Sequence, residues 1–274
     1  MLLLATSPWL KPPQLVPEEQ AQLSSVHRIP EFLSRSDIEA LKSAAETVSA
    51  KLKQAGKPGV HDLAHRQATA KGTWSTVFIN HHLREMLPDL HDRLFSAARE
   101  ADATHAWGLF REGEAEGAPL SFRVAELHRV QPGGGLRKAN HIDYGSLITL
   151  DLMLSEPGVD FEGGALQTLE ADGSMASHTF GLGDLLLFQS HKYHSVTPVT
   201  AGTRSVCVLE IWEGLPRRCP RRCTDPWGPC TCQFAPKPPC YRIRDGPEHF
   251  APAAVLRYLK EEMEQAPKSD SSHN

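Results

Sequence analysis

The chain has 274 residues, of which 40% are hydrophobic, and its formal net charge at pH 7 is −4. That length is enough to bury one substantial core, with room for a small appendage. Because 29 basic residues nearly balance 33 acidic ones, the charge predicts neither a nucleic-acid partner nor a membrane surface. No apolar run is long enough to span a bilayer, and the apolar residues 1–5 lack a basic leader. We therefore expect a soluble intracellular protein, in the cytoplasm, with a secretory signal as the disfavoured alternative.

Two amphipathic helices are predicted in the first half of the chain. Ser36-Asp-Ile-Glu39 has the form of a capping box, and apolar residues then recur at helical spacing as far as residue 56. These residues are Ile38, Leu41, Ala45, Val48 and Leu52. A strand is predicted at 73–79 and a second helix at 87–102. Each helix has a single apolar face, which indicates packing against a sheet.

The pattern changes between residues 107 and 212. Short runs rich in β-forming residues recur about every ten residues, separated by clusters of Gly, Pro and Asp. This rhythm is typical of a β-sandwich or a jelly roll. The sequence therefore predicts an α+β fold that is mainly β, with the helices supporting it.

Three residues in two separate segments of the chain carry the strongest chemical signal. His141 and Asp143 are two positions apart, so on a strand their side chains would project to the same side and could share one ion. His194 would then come from a second strand. Two imidazoles and one carboxylate leave positions open on a metal ion, and they form the ligand set of non-haem Fe(II) oxygenases. His191 is a rival ligand, but we interpret it as a residue at the rim.

Arg204 follows His194 by ten residues and begins an apolar run that ends at Trp212. A guanidinium is permanently charged and offers a fork of donors that matches a carboxylate. An arginine deep in a sandwich therefore needs an anionic partner, and a dicarboxylate bound to the metal at one end could supply that partner at the other.

The stretch from Phe122 to Trp212 resembles the iron- and 2-oxoglutarate-dependent dioxygenases, most closely their prolyl-hydroxylase-like branch. The resembling segments are 140–144, 161–166, 181–188 and 194–204, with 29–34 upstream. The resemblance implies a double-stranded β-helix (jelly-roll) core. It also implies that His141, Asp143 and His194 hold Fe(II), and that Arg204 pairs with the far carboxylate of 2-oxoglutarate.

The activity implied by this resemblance is hydroxylation of an unactivated C–H bond with release of succinate and CO₂, with ascorbate as a reductant. The implied substrate is a prolyl or other amino-acid side chain of a peptide or protein, and a small molecule is the alternative. Relatives often carry a tyrosine whose hydroxyl bonds 2-oxoglutarate. The corresponding stretch of this chain, residues 127–132, contains no tyrosine. Thr149 could supply a hydroxyl instead, or could be an ordinary strand residue.

We expect three segments along the chain. Residues 1–27 would be loosely ordered, 28–214 would form the dioxygenase domain with its catalytic core at 122–212, and 215–274 would be an extension rich in Cys, Pro and Arg. A last short helix is expected over 252–263. Cys207 fits a small core residue.

Five further cysteines fall within the predicted extension: Cys219, Cys223, Cys230, Cys232 and Cys240. They could hold a structural zinc, form disulfides or belong to an irregular thiol-bearing tail.

Two functions compete with the dioxygenase. One is a non-catalytic, metal-retaining module of the same fold that binds a partner through the Cys/Arg-rich tail. The other is a hydrolase in which the same ligands hold zinc.

Overall fold

The structure is a computed structural model that describes residues 24–64, 70–80, 82–110, 120–138, 141–143, 145–170 and 173–215. The predicted C-terminal extension lies outside the described residues from position 216 onward, together with its five cysteines and its helix. The predicted N-terminal segment lies outside them as far as position 23. The three-segment division therefore stays a prediction.

Both predicted helices are present. They are α1 (Arg35–Gln54) and α3 (Pro88–His105), and a short helix that we did not predict, α2 (His82–Met86), lies between them. Pro88 stands in the first turn of α3, where its missing N–H costs nothing. Among the described residues, no helix is both long and apolar enough to cross a membrane.

The capping box of α1 lies two residues before the predicted one. Ser34 is the N-cap, its Oγ accepts a hydrogen bond from the Asp37 N–H at 3.1 Å, and the Asp37 carboxylate accepts from the Ser34 N–H at 2.9 Å. The prediction at Ser36–Glu39 was wrong because two overlapping motifs fit the same pattern. The extended backbone at Ser34, with φ −70° and ψ 166°, decides between them.

The described residues also form twelve strands. They are β1 (His27–Ile29), β2 (His61–Asp62), β3 (Trp74–Phe78), β4 (Leu120–Val130), β5 (Ile148–Met153), β6 (Phe161–Gly163), β7 (Leu166–Leu169), β8 (Met175–His178), β9 (Leu185–Gln189), β10 (His194–Val196), β11 (Val199–Gly202) and β12 (Arg204–Glu213). A seven-stranded sheet has the order β1-β9-β5-β12-β4-β3-β2. Smaller sheets have the orders β10-β7-β8 and β11-β6, and all these pairs are antiparallel.

The large sheet buries a different cluster on each face. Leu94 and Ala98 of α3 pack in one cluster with Cys207, Leu209 and Ile211 of β12. Side chains alternate along a strand, so Val206 and Glu210 face the other way. On that inner face the large sheet packs against the small sheets through a second cluster, which includes Met153, Phe188, Leu166 and Val199.

This two-layer, mainly β arrangement with supporting helices confirms the predicted jelly-roll fold. Cys207 is fully buried, as predicted for a small core residue. The inner face is unusual in one respect, because it contains buried charged residues among the apolar ones. They include Glu126, Asp151, Arg204 and Glu210.

Candidate metal centre

His141, Asp143 and His194 converge at one end of the sandwich. One ligand atom from each lies within 4.8 Å of the others. The Nε2 atom of His141 is 3.2 Å from Asp143 Oδ1, and the Nε2 atom of His194 is 3.6 Å from Asp143 Oδ2. No other group of three such residues in the described part of the chain comes together in this way. The donor set of two imidazoles and a carboxylate suits a divalent transition metal with open positions.

The backbone brings the two histidines together, although not as predicted. His141 is an isolated bridge residue paired with His194, whose N–H donates to the His141 carbonyl at 3.1 Å. The prediction that His141 and Asp143 share a strand was wrong. Asp143 lies in the loop before β5, and its N–H donates to the Ser190 carbonyl at 2.8 Å. A carboxylate in a loop can turn back toward the ion, so strand alternation is not needed.

His194 is held in one orientation by its own turn. Its Nδ1 atom is 3.0 Å from the Lys192 carbonyl oxygen, so Nδ1–H donates there and Nε2 faces Asp143 with a free lone pair. Burial lowers the pKa of His194, while the charge of Asp143 opposes that shift. A neutral imidazole with a fixed tautomer is the form that binds metal.

Thr149 supports the carboxylate of the triad. Its hydroxyl donates to Asp143 Oδ2 at 2.7 Å and lies 2.9 Å from Ser190 Oγ. The sequence assigned Thr149 to 2-oxoglutarate, and that role stays a prediction. In the structure the Thr149 hydroxyl donates its hydrogen bond to Asp143.

Arg204 forms the second part of the site. Its side chain is 2% exposed, and its Nε and Nη2 atoms have no hydrogen-bond partner. The guanidinium lies 5.9 Å from the centre of the Phe180 ring. A Cβ atom at Gly164 would lie 2.7 Å from Arg204 Cδ, so the backbone approaches closely there. Burial lowers the pKa of Arg204, yet a guanidinium stays charged in proteins. A buried charge with free donors is costly unless an anion binds it.

Asp151 connects the two parts. Its negative charge opposes the burial effect that lowers the pKa of His194 and of Arg204, so Asp151 lies within electrostatic reach of each. Thr149 and Asp151 are two residues apart on β5, so they share one face of that strand. The candidate metal ligands and the arginine therefore lie on the same inner side of the sandwich.

Solved structures share this architecture. A prolyl-4-hydroxylase of Pseudomonas putida is 17% identical with a TM-score of 0.50, and the match covers 74% of this chain and 98% of that one. A non-haem α-ketoglutarate-dependent epimerase, SnoN from nogalamycin biosynthesis, is 13% identical with a TM-score of 0.50, and the match covers 78% of this chain and 94% of that one. The chain has the fold of the iron- and 2-oxoglutarate-dependent oxygenases. No protein-family model and no curated protein matches the sequence.

The rival ligand, His191, lies outside the metal group. Its side chain is half-buried. Burial lowers its pKa to about 4, although the charge of Asp143 opposes the shift. His191 is therefore neutral near pH 7.

Two buried polar groups within the oxygenase fold escaped the sequence interpretation. His128 accepts a hydrogen bond from Trp74 Nε1 at 3.0 Å on Nδ1, and its Nε2 lies 3.1 Å from the Glu126 carboxylate. It stands in the stretch that lacks the expected tyrosine. The other group is Arg123, Ser146 and Glu210. A charged residue inside an apolar strand run, as at Arg123 and Glu210, was the signal that could have revealed it.

Proposed function

We propose that this chain is an Fe(II)- and 2-oxoglutarate-dependent dioxygenase. One observation carries the proposal: a cluster of two histidines and an aspartate lies on the same inner side of the sandwich as a buried arginine with two unpaired donor atoms. The triad fits a divalent metal. The arginine fits the distal carboxylate of a dicarboxylate that chelates that metal.

Each side chain has a defined task in this proposal. His141, Asp143 and His194 would hold the iron, while the Lys192 carbonyl fixes His194 and the Thr149 hydroxyl fixes Asp143. Arg204 orients 2-oxoglutarate through its far carboxylate. The bound iron and 2-oxoglutarate supply the oxidising chemistry that inserts oxygen into a C–H bond and releases succinate and CO₂.

Access to the site is one-sided. The His141 side chain is 27% exposed, whereas those of Asp143 and His194 are 2% and 6% exposed. A substrate would therefore approach past His141, while the apolar residues behind His194 exclude water. Phe188 is one of them, with its ring centre 5.0 Å from that of His194.

The proposed substrate is a prolyl or other amino-acid side chain of a peptide or protein. This proposal rests on the prolyl-hydroxylase-like sequence pattern and on the Pseudomonas putida prolyl-4-hydroxylase as a fold neighbour. Because an epimerase shares the fold equally well, the fold alone does not select hydroxylation or a peptide. A small-molecule substrate is the alternative, and ascorbate is proposed as the reductant.

The first experiment is an anaerobic titration of the full chain with Fe(II) and then 2-oxoglutarate. We expect a weak visible charge-transfer band that forms only when both are present. Arg204→Met should lose the band at a 2-oxoglutarate concentration that saturates the wild type. Arg129→Ala, which removes an exposed arginine of β4, is the matched control and should keep it. A folded, iron-loaded wild type that shows no band would refute the proposal.

A further inference from the structure

A buried polar cluster lies behind the turn that carries Asp143. We call Arg123, Ser146 and Glu210 the anchor cluster. Ser146 Oγ donates to Glu210 Oε2 at 2.6 Å and accepts a hydrogen bond from Arg123 Nη1 at 3.1 Å. The Arg123 Nη1 and Glu210 Oε2 atoms are 3.7 Å apart. Both charged side chains are 2% exposed or less, so water screens them little.

The anchor cluster is joined to Asp143 through one tight turn. The Ser146 N–H donates to the Asp143 carbonyl at 3.2 Å, which ties these two residues together in a tight turn. Gly145 has φ +87°, the left-handed region that glycine adopts freely. A Cβ at Gly145 would lie 2.9 Å from Arg123 Nη1. The guanidinium therefore packs directly against the backbone of the turn.

A β-bulge aims Arg123 at this turn. Glu210 and Ile211 of β12 are consecutive, but they pair with Val124 and Phe122 of β4, so Arg123 is the extra residue. Without the bulge, Arg123 would face the helices together with Ala125 and Leu127. With it, Phe122 takes that side and Arg123 turns inward. The chain thus departs from regular pairing at the one place that brings this guanidinium to Ser146.

A buried ion pair of this kind contributes little net stability, because desolvation offsets the attraction between its charges. In some proteins such a pair instead fixes one arrangement among several. The Asp143 carboxylate is already bonded by Thr149, and its N–H by Ser190. The anchor cluster adds the third constraint, on the carbonyl side of Asp143.

We propose that Arg123, Ser146 and Glu210 are positioning residues that hold Asp143 in its metal-binding arrangement and thereby set the metal affinity. This inference rests on the proposed metal site. Holding the turn in place before the metal arrives removes an ordering cost from binding. Loss of partners behind a metal ligand typically weakens metal binding about 10- to 100-fold.

The test measures the dissociation constant for Co(II), a spectroscopic stand-in for Fe(II), on the full chain. Ser146→Ala removes the hydrogen bonds between the turn and the two charged residues, and we expect Co(II) binding to weaken about 10- to 100-fold. Ser155→Ala is the matched control. Ser155 is a 4% exposed serine of the same sheet region, bonded to the Ser205 backbone rather than to the turn. It should keep the wild-type constant.

Urea unfolding of the metal-free variants separates positioning from general destabilisation. If Ser146→Ala and Ser155→Ala lose similar stability while only Ser146→Ala loses Co(II) affinity, positioning is supported. Hydrogen exchange at the Asp143 amide should also speed up in Ser146→Ala alone. Should Ser146→Ala fail to fold, the paired replacement Arg123→Met with Glu210→Leu gives the same readout. It removes both charges together, so neither is left buried without its partner.

Wild-type Co(II) affinity in a folded anchor-cluster variant would overturn this inference and leave the metal site intact. No Co(II) or Fe(II) binding by the folded wild type would overturn the proposed function and the inference together.

Discussion

The two ends of the interior site are built in opposite ways. At the metal end, protein groups already occupy the supporting positions: the Lys192 carbonyl faces His194, and Thr149 donates to Asp143. At the other end, Arg204 is buried with Nε and Nη2 unpaired. The metal end has supporting hydrogen bonds from the protein itself, whereas the arginine end has two donor atoms that only a bound anion would pair. Substitutions at the two ends should therefore fail in different ways.

The largest expected effect comes from removing a ligand at the metal end. His141→Ala should lower 2-oxoglutarate-dependent succinate formation by on the order of 10³-fold, because the bound metal accounts for several kcal/mol of the barrier. Fe(II) binding should weaken in parallel.

His191→Ala is the control for this first prediction. His191 belongs to the same turn but stands outside the metal group, so this variant should retain Fe(II) binding. Loss of the metal in His191→Ala together with retention in His141→Ala would exchange the roles of the two histidines.

The arginine end should respond through the co-substrate alone. Arg204→Met should raise the dissociation constant for 2-oxoglutarate by about 30-fold or more, since removing one partner of a buried charge pair costs about 2–5 kcal/mol. The Co(II) affinity should stay close to that of the wild type.

The same variant offers a second readout that tests whether Arg204 lacks a partner. Replacing a buried charge that has two unpaired donor atoms with an apolar side chain of similar volume should raise the urea midpoint of the ligand-free protein. A lower midpoint would mean that Arg204 already stabilises the free protein, which would remove the contrast between the two ends.

Substitution of Thr149 should have a smaller effect, and it tests whether this residue serves the metal end or the arginine end. Thr149→Val keeps the shape but removes the donor to Asp143, so Co(II) affinity should fall about tenfold. Thr149→Ser should restore it. If Thr149 instead bonds 2-oxoglutarate, as the sequence suggested, Thr149→Val would weaken 2-oxoglutarate binding at saturating metal and leave Co(II) affinity unchanged.

The sequence predicted the fold where the periodicity is local. The helices near Leu41 and Leu94, the strand near Val77 and the long strand from Arg204 appear at or close to the expected positions. Each has one apolar face that follows a helical or strand period, so its form depends on residues close together in the chain.

The candidate ligands were also predictable, because His141, Asp143 and His194 form a known combination of donors and the structure brings them together. Their backbone was not. The spacing of His141 and Asp143 fits a strand, but Asp143 instead lies in a turn whose form depends on Gly145 and Ser146.

The partners of the site were beyond a sequence argument. Arg123 meets Ser146 only because a bulge at β4 reverses its side, and no local pattern predicts a bulge. The contact between Glu210 and Ser146 joins residues 64 positions apart. Such pairs depend on which strands become neighbours, which local periodicity does not determine.

The smallest expected effect distinguishes the two ends by pH. Burial lowers the pKa of His194 below its ordinary value of 6.5, so below pH 6.5 the unfolded chain takes up a proton that the folded chain does not. His194 thus contributes stability that is present above pH 6.5 and is lost as the pH falls toward its folded pKa. One group contributes a slope of at most about 1.4 kcal/mol per pH unit. Arg204 stays protonated throughout and contributes no slope.

Urea unfolding of the metal-free protein above and below pH 6.5 measures this difference. His27, His178 and His191 also have lowered pKa values, so the comparison must be between variants rather than within the wild type. His194→Gln should lose stability less steeply than the wild type as the pH falls. Arg204→Met should run parallel to the wild type with a constant offset. Parallel curves for His194→Gln and the wild type would show that burial does not lower the pKa of His194. The imidazole would then not be held in the neutral form that binds metal.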